Sequence, residues 1–430
     1  MTTRTLALLG RLAGCGLAAL ALSACSSSRV DPSSAGFGPD FGDDDEPPSR
    51  WRDSNAALAV EDPDVARVLE ETFGGTPVPG AVAAIGDRRG NVRVAAYGLR
   101  RAGAGAEMTV DDMLHIGSDT KAMTAVVVAR LVDRRLLSWD STIEDVLPAL
   151  AKKIHPDYRA VTVLQLLHHS SGAPANARDW TAYDDLDVRE RRMRIAIDAL
   201  QAPPSAPPGM EFEYSNLGYV VAGMMTEEIG DTTWESMVVR EVFIPLGIDS
   251  YGFGIPGEEG SLDQPWGHVV EASGRARPVQ IDNDRALGPA GTVHLSIEDW
   301  ARFALEFTDD AADERGFLSD EARETLVERG VEDYACGWTM IDRAWADGTA
   351  MTHSGSNTTW FATAWVAPRK NLVFLVAANA AGYSVPETVD LAVGGLLRAA
   401  ETSFSGAPRT DDRVPRTRPE RPAASPSGGR

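Results

Sequence analysis

The sequence predicts an α+β fold: one antiparallel sheet drawn from both ends of the chain and flanked by helices, plus a mostly helical lobe between them. Three observations lead there. β-rich runs stand near the start and again near the end, helical spacing fills the stretch between, and no internal repeat divides the chain. With 430 residues, 43% of them hydrophobic, the chain can bury a large core and form more than one lobe.

The elements follow in order. PDVARVLEETF (Pro63–Phe73) has helical spacing and a proline suited to a first turn. GAVAAIGDRRGNVRVAAYGL holds two β-rich runs around a turn at Asp87–Gly90, a hairpin. Helical patterns recur at Ala122–Arg134, Thr162–Leu167, Val188–Leu200, Tyr219–Ile229 and Thr233–Val242. SIEDWARFALEF opens with Ser296 and carries Asp299 three residues on, an N-cap signature. CGWTMIDRAW, AMTHSG, WFATAWVA and LVFLVAAN read as strands, and a closing helix spans about Val385–Ala400.

The ends read differently. Arg4 and Arg11, a short apolar run at Leu12–Ala21 and LSAC at Leu22–Cys25 make residues 1–24 a signal peptide, too short to span a bilayer. LSAC resembles the lipobox of bacterial lipoproteins, which implies lipidation of Cys25 and a place in the bacterial cell envelope. Residues 25–55, with DDDEPP at Asp43–Pro48, read as a flexible tether. The folded domain then covers 56–402, and residues 403–430 form a Pro- and Arg-rich tail.

Composition excludes several functions. The net charge is −22, and no basic cluster precedes the tail, so a nucleic-acid partner is not expected. The three cysteines, Cys15, Cys25 and Cys336, make no CxxC, and there is no HExxH, so no zinc site and no disulfide framework follow. Cys336 reads as a small buried residue in a strand. GFGIPG at Gly252–Gly257 follows no clear strand and has Pro256 where a helix would begin, which argues against a dinucleotide site. His168 and His169 in LLHHSSG read as part of a structural turn, and Trp360, Phe361 and Trp365 as core and cleft wall.

One pairing carries chemistry. Ser118 stands three residues before Lys121, at what the pattern makes the first turn of a helix. Positions i and i+3 share a helix face, so Oγ and Nζ can meet. The positive helix terminus and burial both lower a lysine pKa, and a neutral lysine can take the serine proton. Backbone N–H groups of that turn can hold an oxyanion. Taken alone, the pair reads more simply as a helix cap beside a solvated lysine, and its context shifts the reading. YSN at Tyr214–Asn216 adds a phenol and an amide that point the same way if the segment is extended. HSGSN at His353–Asn357 places an imidazole and small residues at a strand edge where a substrate backbone can lie.

IGSDTK, YSN and HSG, in that order, resemble the penicillin-recognising serine hydrolases, in the branch related to class C β-lactamases and esterases. VTVLQLLHHSSG, PPGMEFEYSNLGYVVAG, GPAGTVHLSIEDWARF and THSGSNTTWFATAWVAP support the resemblance, which covers nearly all of Val78–Asn379. It implies the serine β-lactamase and transpeptidase-like fold, with Ser118 as acylated nucleophile, Lys121 as base or proton relay, and Tyr214 sharing the proton work. Asn216, His353, Ser354 and Gly355 would bind substrate, and the N–H groups of Ser118 and Ser356 would form the oxyanion hole. The substrate would be a small-molecule or peptide acyl compound, with no metal or organic cofactor.

Two residues depart from the family pattern. Histidine replaces the usual lysine at 353 and is mostly neutral at pH 7, which favours ester or peptide-like amide hydrolysis over β-lactam hydrolysis. A D-alanyl-D-alanine carboxypeptidase and a true β-lactamase stand as alternatives, as does a non-hydrolytic binder of cell-wall fragments, although the intact Ser118, Lys121, Tyr214 and Asn216 argue against the last. His115 stands where relatives often have phenylalanine and reads as packing beside the nucleophile turn. Loops around Ala173–Tyr183 and Gly252–Gln264 are expected to set the pocket width.

Overall fold

The computed structural model describes residues 59–87, 91–309, 317–382 and 384–405. The signal peptide, the whole tether with Cys25, the tail beyond 405 and hairpin-turn residues 88–90 lie outside the described residues. Strand β1 (Ala59–Glu61) leads into helix α1 (Pro63–Phe73). The Asp62 side chain accepts from the Asp64 and Val65 N–H groups, and Pro63 needs no partner for its missing donor. Val65, Val68, Leu69 and Phe73 form its buried stripe.

The expected hairpin is β2 (Gly80–Asp87) and β3 (Val92–Gly98). After β4 (Leu114–His115), a 3₁₀ turn at Gly117–Asp119 runs into helix α2 (Thr120–Asp133). Helices α3 (Val163–Leu167), α4 (Val188–Ala199), α5 (Asn216–Gly230) and α6 (Trp234–Val238) make the middle lobe. Helix α5 starts three residues before the expected Tyr219, because Ser215 caps it by accepting from the Gly218 N–H. α6 is shorter than expected and passes into a π-helical turn over Val239–Phe243.

Strands β5 (Tyr251–Phe253), β6 (Gly267–Val270), β7 (Ala276–Val279) and β8 (Val293–Leu295) follow. GFGIPG thus begins inside β5, and no helix opens on it. Helix α7 (Ile297–Leu305) has the predicted Ser296 cap, and α8 (Asp320–Val327) is a further helix capped by Ser319. The chain closes with β9 (Thr339–Arg343), β10 (Gly348–Ser356), β11 (Phe361–Ala367), β12 (Leu372–Ala378), β13 (Ala381–Gly382) and α9 (Val385–Ser405). α9 outlasts its expected end at Ala400.

The main sheet has the order β1-β3-β2-β12-β11-β10-β9. Every pairing is antiparallel except β1 with β3, so both chain ends do build one sheet, with a short parallel edge strand added. Two three-stranded sheets, β13-β6-β7 and β4-β8-β5, complete it.

The sheet has a core on each face. One packs against the helical lobe around α2 and α5, helices apolar on nearly every side and therefore buried. The other packs against α1 and α9. Period-two alternation sends Trp360, Ala362, Ala364 and Val366 to the lobe side and Phe361 and Trp365 to the far side. Phe361 and Trp365 are therefore part of the far core and not a cleft wall. Cys336 is buried as expected, but it lies in a bend three residues before β9.

Candidate active site

The site forms where the turn before α2 meets the end of β10. Gly117 has φ of +53°, a left-handed conformation that suits glycine. A Cβ there would collide with the Ser356 backbone nitrogen and stand 2.7 Å from the Gly355 carbonyl carbon. A Cβ on Gly355 would collide with the Ile116 carbonyl oxygen and stand 2.5 Å from the Ser118 nitrogen. Two glycines thus let backbone meet backbone, which brings the Ser118 and Ser356 amides to one place.

Ser118 lies in the 3₁₀ turn, one step before the α-helix, not in its first turn. The tighter winding stacks i over i+3 and brings Lys121 Nζ to 3.1 Å from Ser118 Oγ. Nζ donates to Asn216 Oδ1 and to the Ala290 carbonyl oxygen, each at 2.7 Å. Lys121 is fully buried, and burial pushes its ammonium well below the usual lysine range, with Asp119 pulling part of the way back. A neutral amine has two N–H bonds and one lone pair. In that neutral form the two 2.7 Å contacts take both N–H bonds and leave the lone pair for the Ser118 hydroxyl.

Tyr214 comes from the segment leading into α5. Its ring covers Lys121, with Nζ 4.9 Å from the centroid, and Tyr219 lies on Nζ at 5.5 Å. Asn216 is the first residue of α5, so both YSN side chains reach Lys121 although the segment is extended only as far as Ser215. The Asn216 amide nitrogen donates to Asn176 Oδ1 at 2.9 Å, which brings the 173–183 loop to the site.

His353 and Gly355 face the helical lobe from β10, opposite Ala364 and Ala362. The His353 ring is 6.4 Å from that of Tyr214, and its Nδ1 has no hydrogen-bond partner among the described residues. Burial, helped by Lys121, pushes its imidazolium down to about 3. Ser354 turns to the opposite face, where its hydroxyl meets Thr363 Oγ1 at 2.9 Å. Its side chain is therefore not among the groups facing Ser118, because neighbours in a strand alternate.

Four further groups belong to the site. Asp119 is buried directly after Ser118, its carboxyl has no hydrogen-bond partner among the described residues, and burial pushes it well above the usual carboxylate range. His169, at the structural turn (φ +54°), accepts from the Ser215 N–H at 3.0 Å and stacks 4.3 Å from the Tyr214 ring. Tyr334 closes the same aromatic cluster, 4.6 Å from His169. The Ala290 carbonyl comes from GPAG at Gly288–Gly291, whose small residues were the available signal for close approach to α2. Among the described residues, no group of three or more His, Cys, Asp and Glu could hold a metal ion.

The β-lactamase family model matches residues 65–397 of the chain. Penicillin-binding protein 4 of Amycolatopsis lactamdurans is 28% identical over 315 residues, covering 70% of this chain and 81% of that relative. The unguisins hydrolase ungD' of Aspergillus campestris is 27% identical over 274 residues, covering 62% of this chain and 50% of its own length, so the match spans half of that relative. The octameric penicillin-binding protein homologue from Pyrococcus abyssi superposes with a TM-score of 0.64 at 24% identity, over 79% of this chain and 77% of that one.

Proposed function

This chain belongs to the β-lactamase family, and from that premise we propose that Ser118 is its nucleophile, Lys121 the base and Tyr214 the partner in proton transfer. The protein is a serine hydrolase of the β-lactamase-related type. The observation that carries the assignment is the fully buried Lys121 Nζ, 3.1 Å from Ser118 Oγ and 2.7 Å from both Asn216 Oδ1 and the Ala290 carbonyl oxygen.

In the proposed reaction, Ser118 Oγ attacks the acyl carbon while its proton moves to Lys121 Nζ. The carbonyl π electrons move to oxygen, which the Ser118 and Ser356 N–H groups hold. The tetrahedral intermediate collapses and expels the alcohol or amine, which takes the proton back through Lys121 and Tyr214. Water then attacks the acyl-enzyme by the same route in reverse and frees the acid and the serine. Asn216 and the backbone edge of β10 from His353 to Gly355 position the acyl chain.

The favoured substrate is an ester or amide that needs no cationic grip on a carboxylate. A histidine held neutral at position 353 supports this reading, since it offers no fixed positive charge. Anchoring at the cell envelope through a lipid on Cys25 is proposed from LSAC and the short apolar run before it.

The test is labelling with a fluorophosphonate probe, mapping of the adduct, and parallel assay of a p-nitrophenyl ester, a D-Ala-D-Ala peptide and nitrocefin against Ser118→Ala. Ester or peptide turnover with an adduct on Ser118, lost in the variant, supports the proposal. An adduct elsewhere, or turnover that survives Ser118→Ala, removes it.

A further inference from the structure

His115 takes part in no step above, yet it is fully buried three residues before the nucleophile. Its Nδ1 accepts from the Gly117 N–H at 3.1 Å. With Nδ1 accepting, the neutral ring carries its proton on Nε2, which lies 2.9 Å from Asp282 Oδ1, a close polar contact whose angle falls short of a hydrogen bond. The same Asp282 oxygen accepts from Asn357 Nδ2 at 3.0 Å.

Asn357 directly follows Ser356. Its side-chain oxygen accepts from the Thr359 and Trp360 N–H groups, at 3.1 and 3.0 Å, and from the Thr359 hydroxyl at 3.0 Å. It therefore sets the turn that carries the chain from β10 to β11. One carboxylate oxygen thus joins two segments with no covalent link between them: the turn that carries the Ser118 amide and the strand end that carries the Ser356 amide.

We propose that His115, Asp282 and Asn357 form a positioning relay that sets the spacing of the two oxyanion-hole amides, and that His115 is a positioning residue for acylation. The inference rests on the acyl-transfer reading above. Phenylalanine at 115 would fill the same volume. It would leave the Gly117 N–H without its acceptor and Asp282 without its polar contact, so the left-handed turn at Gly117 would keep only its backbone hydrogen bonds and packing. Oxyanion stabilisation depends on donors standing where the charge develops, and a displacement of about 1 Å can cost on the order of 100-fold in rate.

The experiment uses the full chain as wild type, His115→Phe, Asp282→Ala and the double variant. The measurements are kcat and KM for a p-nitrophenyl ester and the matching thionoester, fluorophosphonate labelling of Ser118, and thermal melting. A sulfur oxyanion is larger and accepts hydrogen bonds poorly, so a well-set hole favours the oxygen substrate. The relay predicts that each single variant melts cooperatively and loses roughly 10- to 100-fold in kcat with KM nearly unchanged. It also predicts a several-fold lower ester-to-thionoester ratio, and a double variant no worse than the poorer single one. Folded variants with an unchanged ratio, or losses confined to KM, overturn it. Should His115→Phe fail to fold, Asp282→Ala decides the matter, because that side chain is partly exposed at the surface. Wild-type labelling at Ser118 with unaffected variants overturns only the relay. A wild type that takes no label at Ser118 overturns the acyl-transfer reading and the relay with it.

Discussion

The Asn216 side-chain oxygen stands 2.7 Å from Lys121 Nζ while its amide nitrogen is held at 2.9 Å by Asn176. The amide is thus oriented from outside the Ser118–Lys121 pair, oxygen toward the amine, and it keeps Lys121 in place without adding charge. Asn216→Asp would put a carboxylate at the same distance. An opposite charge favours the ammonium, so the lysine pKa should rise, and the rising limb of kcat/KM should move up by roughly one to three pH units. A pH–rate profile of the two proteins checks this; an unmoved limb would separate Lys121 from the rate.

Lys121 also sets a stability trend. Burial lowers its folded pKa below the ordinary lysine value, so between the two values the unfolded chain holds the extra proton. Stability conferred at this position therefore rises with pH across that window, by at most about 1.4 kcal/mol per pH unit. Lys121→Met should be inactive yet melt higher than wild type at pH 7, with the advantage shrinking toward pH 10. Equal melting curves at every pH would contradict the burial argument.

His353, pushed down to about 3, stays neutral across the physiological range. No step in activity between pH 5 and 8 is expected from it. His353→Lys would bring a cation to the strand edge and should raise the preference for a carboxylate-bearing substrate over its neutral methyl ester by roughly ten-fold. A specificity ratio that stays flat would show that the carboxylate does not reach this strand.

Gly355→Ala places a methyl group against the Ile116 carbonyl and 2.5 Å from the Ser118 nitrogen. Strand and turn must part to admit it. The expected result is at least about a 100-fold loss of acylation. The melting temperature should fall by only a few degrees, because the β10–β11 ladder can absorb the shift. Retained labelling at the wild-type rate would mean the two amides do not act together.

Much of this was readable in the sequence. α1 and the α7 cap fell where periodicity and Ser296 put them, and the convergence of Ser118, Lys121, Tyr214 and His353 followed from motif order. Strands β4 to β8 escaped because two to four residues carry no measurable alternation. Ser354 was assigned to the site from its neighbours, although alternation along β10 turns its side chain away. His169 and Asp282 join the site through tertiary contacts between distant segments, which no local pattern encodes; Asp119 adjoins Ser118 in sequence, and only the small residues of GPAG hinted at the Ala290 carbonyl. His115 was read as packing, and it is packed; its hydrogen bond with Gly117 and contact with Asp282 required the fold.

The sheet joins the beginning of the domain to its end: the Gly80 N–H donates to Asn379 Oδ1 across 299 residues of chain. A ribosome delivers Ser118 and Lys121 long before it makes β10, β11 and β12. Until those last strands arrive, β2 has no inner neighbour and the Ser118 turn lacks the Ser356 amide beside it. The price of that ordering is slow closure of a very long loop. Under the proposed mechanism its effect is that a nascent or prematurely terminated chain carries the serine and the lysine but no assembled catalyst, so reactivity begins only with β10 to β12 in place.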